Sequence, residues 1–159
     1  PKTKVQTLTN LLKIRARLRR QGKKVVFTNG CFDLIHGGHI ELFRKAKSLG
    51  DVLIVGLNTD ASVRKIKGPS RPVFLLEERF EVLAAIEYVD YLTSFAEETP
   101  QKIIAVLLPD ILVKGGDWQP GQVVGKKEVE AAGGRVVIIA YLKGHSSSAI
   151  IKKIIKTFS

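Results

Sequence analysis

Residues 25–39 read VVFTNGCFDLIHGGH, a short β-branched run followed by a glycine-rich turn that carries two histidines. The run over 25–30 predicts a buried strand, and helical periodicity over 38–49 predicts that a helix follows the turn. In an open parallel sheet such a turn lies at the carboxyl end of its strand, where ligands bind. His36 and His39 are therefore expected where the first strand ends and a helix begins.

Alternation of strand and helix continues along the chain. Besides 25–30 and 38–49, strands are predicted at 51–58, 89–95, 110–115 and 135–142, and helices at 6–21, 75–88, 99–108, 126–132 and from about 146. Strands that are continuous apolar runs between helices are typical of a parallel sheet covered on both faces. We predict an α/β fold, a doubly wound and Rossmann-like parallel sheet of five strands with helices on both faces.

Length and composition indicate a single domain over 1–159. The chain is 45% hydrophobic, enough for one substantial core. We expect a basic N-terminal helix within 1–22 and the core over 23–155. No apolar run reaches the roughly 18 residues of a membrane helix, and no signal peptide is evident. With Cys31 as its one cysteine, and so no internal disulfide, the protein is expected in the cytoplasm.

The formal net charge of +11 is concentrated at the two ends of the chain. Residues 1–24 contain nine Lys and Arg, residues 143–159 contain four Lys, and neither segment contains an acidic residue. The segment between them carries 13 basic and 15 acidic residues. Aromatic side chains that could stack on bases are not interleaved with the basic ones, which disfavours a nucleic-acid partner.

The glycine-rich turn has the features of an anion site. Neither a P-loop nor the common dinucleotide fingerprint occurs in the chain. Glycines allow the backbone to approach a ligand, and the helix that follows offers unpaired N–H groups and the positive end of its dipole. His36 and His39 could donate hydrogen bonds to a triphosphate as charge develops in the transition state. Histidines that only pack or cap the turn are the alternative.

Particular segments resemble a known family. His36-Gly37-Gly38-His39 matches the H-x-G-H signature of the nucleotidyltransferase superfamily, and 30–51 resembles its first strand–helix unit. The segments 55–73, 78–92, 98–100 and 109–118 resemble the D-glycero-β-D-manno-heptose 1-phosphate adenylyltransferases, which occur alone or fused to a sugar kinase. The resemblance extends over roughly 23–155.

The resemblance implies transfer of AMP from ATP to a heptose 1-phosphate, giving ADP-heptose and pyrophosphate for lipopolysaccharide core synthesis. It implies Mg²⁺ bridged by the ATP phosphates, with Asp33 as the side chain that could reach the metal. It also implies a homodimer and a separate sugar kinase that supplies the substrate. One alternative is a cytidylyltransferase that uses CTP and a small alcohol phosphate such as glycerol 3-phosphate. The other is a polyanion-binding module without catalysis.

The resemblance further implies roles for single residues. His36, His39 and Lys67 are the predicted catalytic residues, with Lys67 closing over the phosphates from the KGPSRP loop or else lying exposed there. Asp33 and Asp60 follow the first two strands and are predicted to bind substrate. The predicted nucleotide- and phosphate-binding residues are Thr28, Asn29, Gly30, Cys31, Phe32, Gly38, Arg79, Lys114, Gly115, Asp117, Ser146, Ser147 and Ser148.

Four positions retain alternatives. Arg79 could clamp a phosphate or be an ordinary surface arginine, and Trp118 could stack on a base or cover its loop. Ser146 could cap the last helix, which by itself would explain its presence. Ala149 stands where related cytidylyltransferases have a lysine after the serine/threonine trio, so the cation that replaces this lysine is left open.

Overall fold

The computed structural model describes residues 2–159, and Pro1 of the predicted basic segment lies outside them. Five strands form its sheet: β1 (Val25–Gly30), β2 (Val52–Asn58), β3 (Tyr91–Phe95), β4 (Ile111–Gly115) and β5 (Arg135–Ile139). Their order is β3-β2-β1-β4-β5, and every neighbouring pair is parallel. The predicted five-stranded parallel sheet is confirmed.

Seven α-helices connect or flank these strands. They are α1 (Leu8–Arg20), α2 (Gly37–Ser48), α3 (Asp60–Lys67), α4 (Leu76–Ala84), α5 (Gln101–Leu107), α6 (Lys126–Ala131) and α7 (Ser147–Phe158). Short 3-10 turns occur at Lys2–Lys4 and Pro120–Gln122. Within residues 2–159, no helix combines the length and apolar character needed to cross a membrane.

The core consists of two hydrophobic layers, one on each face of the sheet. Along β1, Val26 belongs to the layer that packs against α2 and α4, whereas Val25 and Phe27 belong to the layer under α1, α5 and α6. This alternation follows from the period of two along a strand. Helices therefore cover both faces, as the continuous apolar strands predicted.

The two central strands, β1 and β4, create a crevice at their carboxyl ends. The chain leaves β1 toward β2 and later returns to β4 on the other side, so the strand order reverses between them. Val26 pairs with Ile111 and Phe27 with Leu112, and Thr28 Oγ1 then donates to the Val113 carbonyl at 3.0 Å. Ligands of open α/β sheets bind at such a reversal.

One helix and several boundaries differ from the sequence expectation, including the end of β5 at Ile139 rather than residue 142. Helix α3 was not predicted, because it is only eight residues long and buries only Ser62 and Val63, so its apolar face extends over about two turns. Strand β3 begins at Tyr91 rather than residue 89, since the Asp90 carboxylate accepts from Leu53 N–H and pairs with Lys47. The predicted helix over 75–88 ends at Ala84.

Candidate active site

A cavity of about 510 Å³ lies at the carboxyl ends of β1, β2 and β4. It brings together most of the predicted site residues: Asn29, Gly30, Cys31, Phe32, Asp33, His36, His39, Lys67, Lys114, Gly115, Ser146, Ser147 and Ser148. Five predicted residues are not among those that line it: Thr28, Gly38, Asp60, Arg79 and Asp117. The cavity is bounded by α2 and α7, both of which start there.

His36 is the N-cap of α2. Its Nδ1 accepts a hydrogen bond from Gly38 N–H at 3.2 Å, so the ring hydrogen must be on Nε2. Burial lowers the pKa of His36 below its usual 6.5, and the nearby His145 lowers it further. The imidazole is therefore neutral at pH 7 and has one N–H left to donate.

His39 stacks on His36 and is more deeply buried. The two ring centroids are 3.8 Å apart at an interplanar angle of 23°. The Phe32 ring forms a T-shaped contact with His39, with 5.3 Å between the ring centroids. Burial, and secondarily His36, lower the pKa of His39 to about 4. Its Nδ1 is buried without a hydrogen-bond partner within the described chain. The pair thus offers neutral donors rather than two positive charges.

Phe32 fixes the turn that carries the histidines. Its φ of +46° is a left-handed conformation that non-glycine residues seldom adopt. Its ring packs against Phe43 of the core at 5.0 Å and lies over Gly30, where an added Cβ would come within 3.0 Å of the ring. Gly30 is therefore needed for the close approach of Phe32, and this packing holds the ring beside His39.

Lys114 places a buried positive charge at the base of the cavity. Its side chain, on a residue only 9% exposed, donates to Asn29 Oδ1 at 2.9 Å, and Nζ lies 5.7 Å from the centroid of the Trp118 ring. Burial lowers the pKa of Lys114 to about 8. It forms no salt bridge within the part of the chain that the structure describes. An anionic ligand would supply the missing counter-charge.

Asp33 has a different role from the predicted contact with substrate or metal. Its carboxylate accepts from Arg71 Nε at 2.7 Å and from the backbone N–H groups of Val73 and Phe74. Burial alone would raise the pKa of Asp33, but the bonds from Phe74, Val73 and Arg71 outweigh it and lower the pKa. Asp33 therefore anchors the loop after α3 and holds Arg71 at the cavity wall.

The structure also corrects the roles of Arg79 and Asp60. Arg79 is 1% exposed and donates to the carbonyl oxygens of Phe74, Cys31 and Asn58. Its remaining ion pair is with Asp60 Oδ1 at 2.8 Å. Because these acceptors occupy the guanidinium, Arg79 joins the β1 turn to the end of β2 rather than clamping a phosphate.

Two of the three predicted serines are engaged at the start of α7. Ser146 caps the helix by accepting from Ala149 N–H at 3.0 Å, which confirms the structural alternative. Ser147 donates its hydroxyl hydrogen to the Leu34 carbonyl at 3.0 Å, so that hydrogen is not free for a phosphate. Ser148 lines the cavity.

Predicted residues around β4 divide between the cavity and the surface. Trp118 lines the cavity, is 41% exposed and donates from Nε1 to the Gly115 carbonyl at 3.1 Å. Asp117 beside it is exposed and lies outside the lining. Thr28 is buried by its bond to Val113, so it joins strands instead of meeting a ligand.

The sequence matches the cytidylyltransferase-like family over residues 27–153. The chain belongs to this family. The nucleotidyltransferase predicted from the H-x-G-H signature is thereby confirmed.

Relatives of this cytidylyltransferase-like chain include longer proteins. It is 53% identical over 156 residues to the bifunctional protein HldE of Citrifermentans bemidjiense, covering 98% of this chain and 32% of that protein. It is 52% identical over 139 residues to HldE of Escherichia coli O1:K1, covering 87% of this chain and 29% of that protein. The chain thus spans about a third of the length of these relatives.

Two solved structures resemble the cytidylyltransferase-like fold described above. A lipopolysaccharide core biosynthesis protein from Thermoplasma volcanium matches with a TM-score of 0.63 and 27% identity, covering 78% of this chain and all of that one. A pantoate-beta-alanine ligase from Francisella tularensis matches with a TM-score of 0.60 and 18% identity, covering 96% of this chain and 79% of that one. The second likeness concerns the fold alone.

Several residues that line the cavity were not predicted from the sequence. Arg71 lies four residues after Lys67 in the KGPSRP loop, and His145 directly precedes the serine trio. Lys67 and the serine trio were predicted site residues, so the position of Arg71 and His145 close to them in sequence is the signal that could have identified both. The other missed lining residues are Leu42, Asn58, Ile66, Glu98, Thr99, Pro100, Val124 and Tyr141.

Proposed function

We propose that this chain transfers AMP from ATP to the phosphate of D-glycero-β-D-manno-heptose 1-phosphate, giving ADP-heptose and pyrophosphate. The observation that carries the proposal is the stacked, neutral pair of His36 and His39 at the start of α2, in one cavity with three cationic side chains. The high identity to HldE over nearly the whole chain supports it. ADP-heptose would serve lipopolysaccharide core synthesis.

In the proposed reaction, an oxygen of the sugar phosphate bonds to the α-phosphorus of ATP. The bond from that phosphorus to the bridging oxygen breaks, and the electron pair leaves with pyrophosphate. No covalent protein intermediate is needed, so the protein contributes alignment and charge stabilisation. The N–H groups of His36 and His39 donate to the phosphates, most strongly as charge develops on the leaving group.

The three cations divide between the two substrates. Lys114, held by Asn29 at the base of the cavity, neutralises the nucleotide phosphates. Lys67, the last residue of α3, and Arg71, held by Asp33, line the same cavity and would receive the sugar phosphate. Backbone groups of Gly30, Cys31, Phe32 and Gly115, with Ser148 and the ring of Trp118, complete the nucleotide pocket.

Mg²⁺ would enter as part of the Mg·ATP substrate. Within residues 2–159 no cluster of three or more His, Cys, Asp or Glu side chains could hold a metal ion. Both oxygens of Asp33 are engaged by Arg71 and backbone N–H groups. Phosphate oxygens and water would therefore provide the ligands, which suits a cation that retains several waters. When bound, the ion neutralises charge on the pyrophosphate.

The proposed partners are small molecules and other proteins. A kinase activity that phosphorylates the sugar at its first carbon must supply the acceptor, and the name of the HldE relatives, bifunctional protein, agrees with such a pairing. We also propose that the chain works as a homodimer.

A pyrophosphate-release assay that combines ATP or CTP with heptose 1-phosphate or glycerol 3-phosphate tests the function. We expect turnover with ATP and heptose 1-phosphate. Turnover with CTP and glycerol 3-phosphate alone would replace the proposal by the cytidylyltransferase alternative. Absence of release with every pair, together with salt-sensitive DNA binding at physiological salt, would favour a polyanion-binding module.

A further inference from the structure

We propose that His145 is a third phosphate-binding imidazole, which donates a hydrogen bond to the pyrophosphate portion of the bound nucleotide. The inference rests on the proposed function, since it concerns the same cavity and a nucleoside triphosphate. It assigns to the start of α7 a residue that contacts substrate directly.

The first support is the position of the ring. His145 lines the cavity, and its ring centroid lies 6.0 Å from that of His36 at an interplanar angle of 32°. His36 in turn stacks on His39 at 3.8 Å, so His36 is next to both of the other imidazoles. All three rings reach the same volume in front of the amino end of α2.

The second support is the close approach of His145 to the backbone of α2. A Cβ added at Gly38 would lie 3.1 Å from the His145 Cβ, and one added at Gly37 would lie 3.7 Å from its Cε1. Glycine at position 38 therefore leaves room for His145 to lie over the first turn of that helix, whereas a Cβ at position 37 would make only ordinary contact with the ring. An anion at the amino end of α2 is within reach of the same ring.

The third support is the way the segment is held. The Ser147 hydroxyl donates to the Leu34 carbonyl, and Ser146 caps α7. The backbone N–H of His145 donates to the Leu142 carbonyl at 3.3 Å. Helix α7 has no buried residue, so packing contributes little to this placement. The hydrogen bonds at its start fix His145 over the cavity.

The surrounding charge selects an anion as the ligand. Lys67, Arg71 and Lys114 line the cavity with His145, and so do the acidic residues Asp33 and Glu98. The Asp33 carboxylate is paired with Arg71, so Lys67 and Lys114 are the cations left for a ligand. His145 forms no salt bridge with a carboxylate in the described part of the chain. The first turn of α7 carries no charged side chain. Polyphosphate is the part of a nucleoside triphosphate whose charge matches this environment.

Binding of separate probes by the full chain tests the inference. Calorimetric titrations with pyrophosphate and with AMP, each with Mg²⁺, are compared between the natural chain and His145→Ala. We expect pyrophosphate affinity to fall by roughly ten- to a hundredfold, the scale of one hydrogen bond to a charged group. AMP affinity should be unchanged. His145→Gln, which retains a side-chain N–H donor, should recover part of the loss.

Lys143→Ala is the matched control, because it removes a nearby charge that does not line the cavity. It should leave both affinities unchanged. Unaltered pyrophosphate affinity in His145→Ala, an equal loss for AMP, or the same loss in Lys143→Ala would each overturn the inference. Since neither probe contains heptose, failure of heptose 1-phosphate turnover would remove the proposed function and leave the His145 result intact.

Discussion

The two stacked histidines act as neutral donors because burial disfavours the charged imidazolium, and because protonating both rings would place two positive charges 3.8 Å apart. Burial lowers the pKa of both rings, and each ring lies beside another histidine that lowers it further. A neutral imidazole still donates one hydrogen bond, which is what a phosphate oxygen requires. The cavity obtains its positive charge from lysine and arginine instead.

Removing either imidazole should slow turnover while preserving the fold. His36→Ala and His39→Ala are each expected to lower kcat by roughly 10²- to 10³-fold, the scale for one transition-state donor. His36→Ala also removes the cap on Gly38 N–H and should cost about 1 kcal/mol of stability. His36→Asn restores a capping side chain, so it should regain that stability and stay slow. Near-normal kcat in either alanine variant would contradict the assignment.

Lys114 should contribute to binding at a cost in stability. Lys114→Met removes a buried charge that has no carboxylate partner in the described chain, so we expect the melting temperature to rise and nucleotide affinity to fall.

The low pKa of Lys114, about 8, provides a second test of its role. Pyrophosphate affinity of the natural chain should decline roughly tenfold per pH unit above that value as the charge is lost, and the decline should be absent in Lys114→Met. A pH-independent affinity between pH 7 and 10 would exclude this role.

At the scale of elements, regular patterns were predictable and long-range pairings were not. Continuous apolar runs identified every strand, and glycine with the H-x-G-H signature identified the turn at α2. Helix α3 was missed because it has only eight residues, two of them buried, so its apolar pattern is too short to recognise in the sequence. Asp33 and Arg79 were predicted to bind ligands, but Asp33 bonds Arg71, 38 residues away, and Arg79 bonds the Cys31 carbonyl, 48 residues away. Only the fold decides which of these charges meet each other and which meet a substrate.

Arg79 therefore provides an element-scale prediction. Arg79→Lys should destabilise the protein by about 3 kcal/mol or more, because one ammonium cannot replace a guanidinium that bonds three carbonyls and Asp60. Lys67→Ala is the comparison, since Lys67 is exposed at the end of α3. It should change stability by no more than about 0.5 kcal/mol and reduce turnover. Urea unfolding of both variants gives the answer, and a stable Arg79→Lys would restore the phosphate-clamp interpretation.

At the scale of the whole molecule, positive charge is distributed in two distinct ways. The basic residues of 1–24 and 143–159 are near the chain ends, whereas Lys67, Arg71 and Lys114 line the cavity. Charge lining a cleft attracts anionic substrates and steers their approach. The proposed binding of small phosphates in the cavity therefore does not require the basic ends.

The free energy of unfolding should depend on pH because of His39, the most buried histidine. The pKa of His39 is about 4 in the folded protein against an ordinary value of 6.5, so between these values the unfolded chain binds more protons than the folded one. Stability is then fully present above about pH 6.5 and falls as the pH decreases toward 4, by up to about 3 kcal/mol from this group. Urea unfolding at intervals between pH 7.5 and 4.5 measures the slope. His39→Gln cannot titrate, so its slope should be shallower by this amount, and parallel curves for the two proteins would show that His39 is not held neutral by burial.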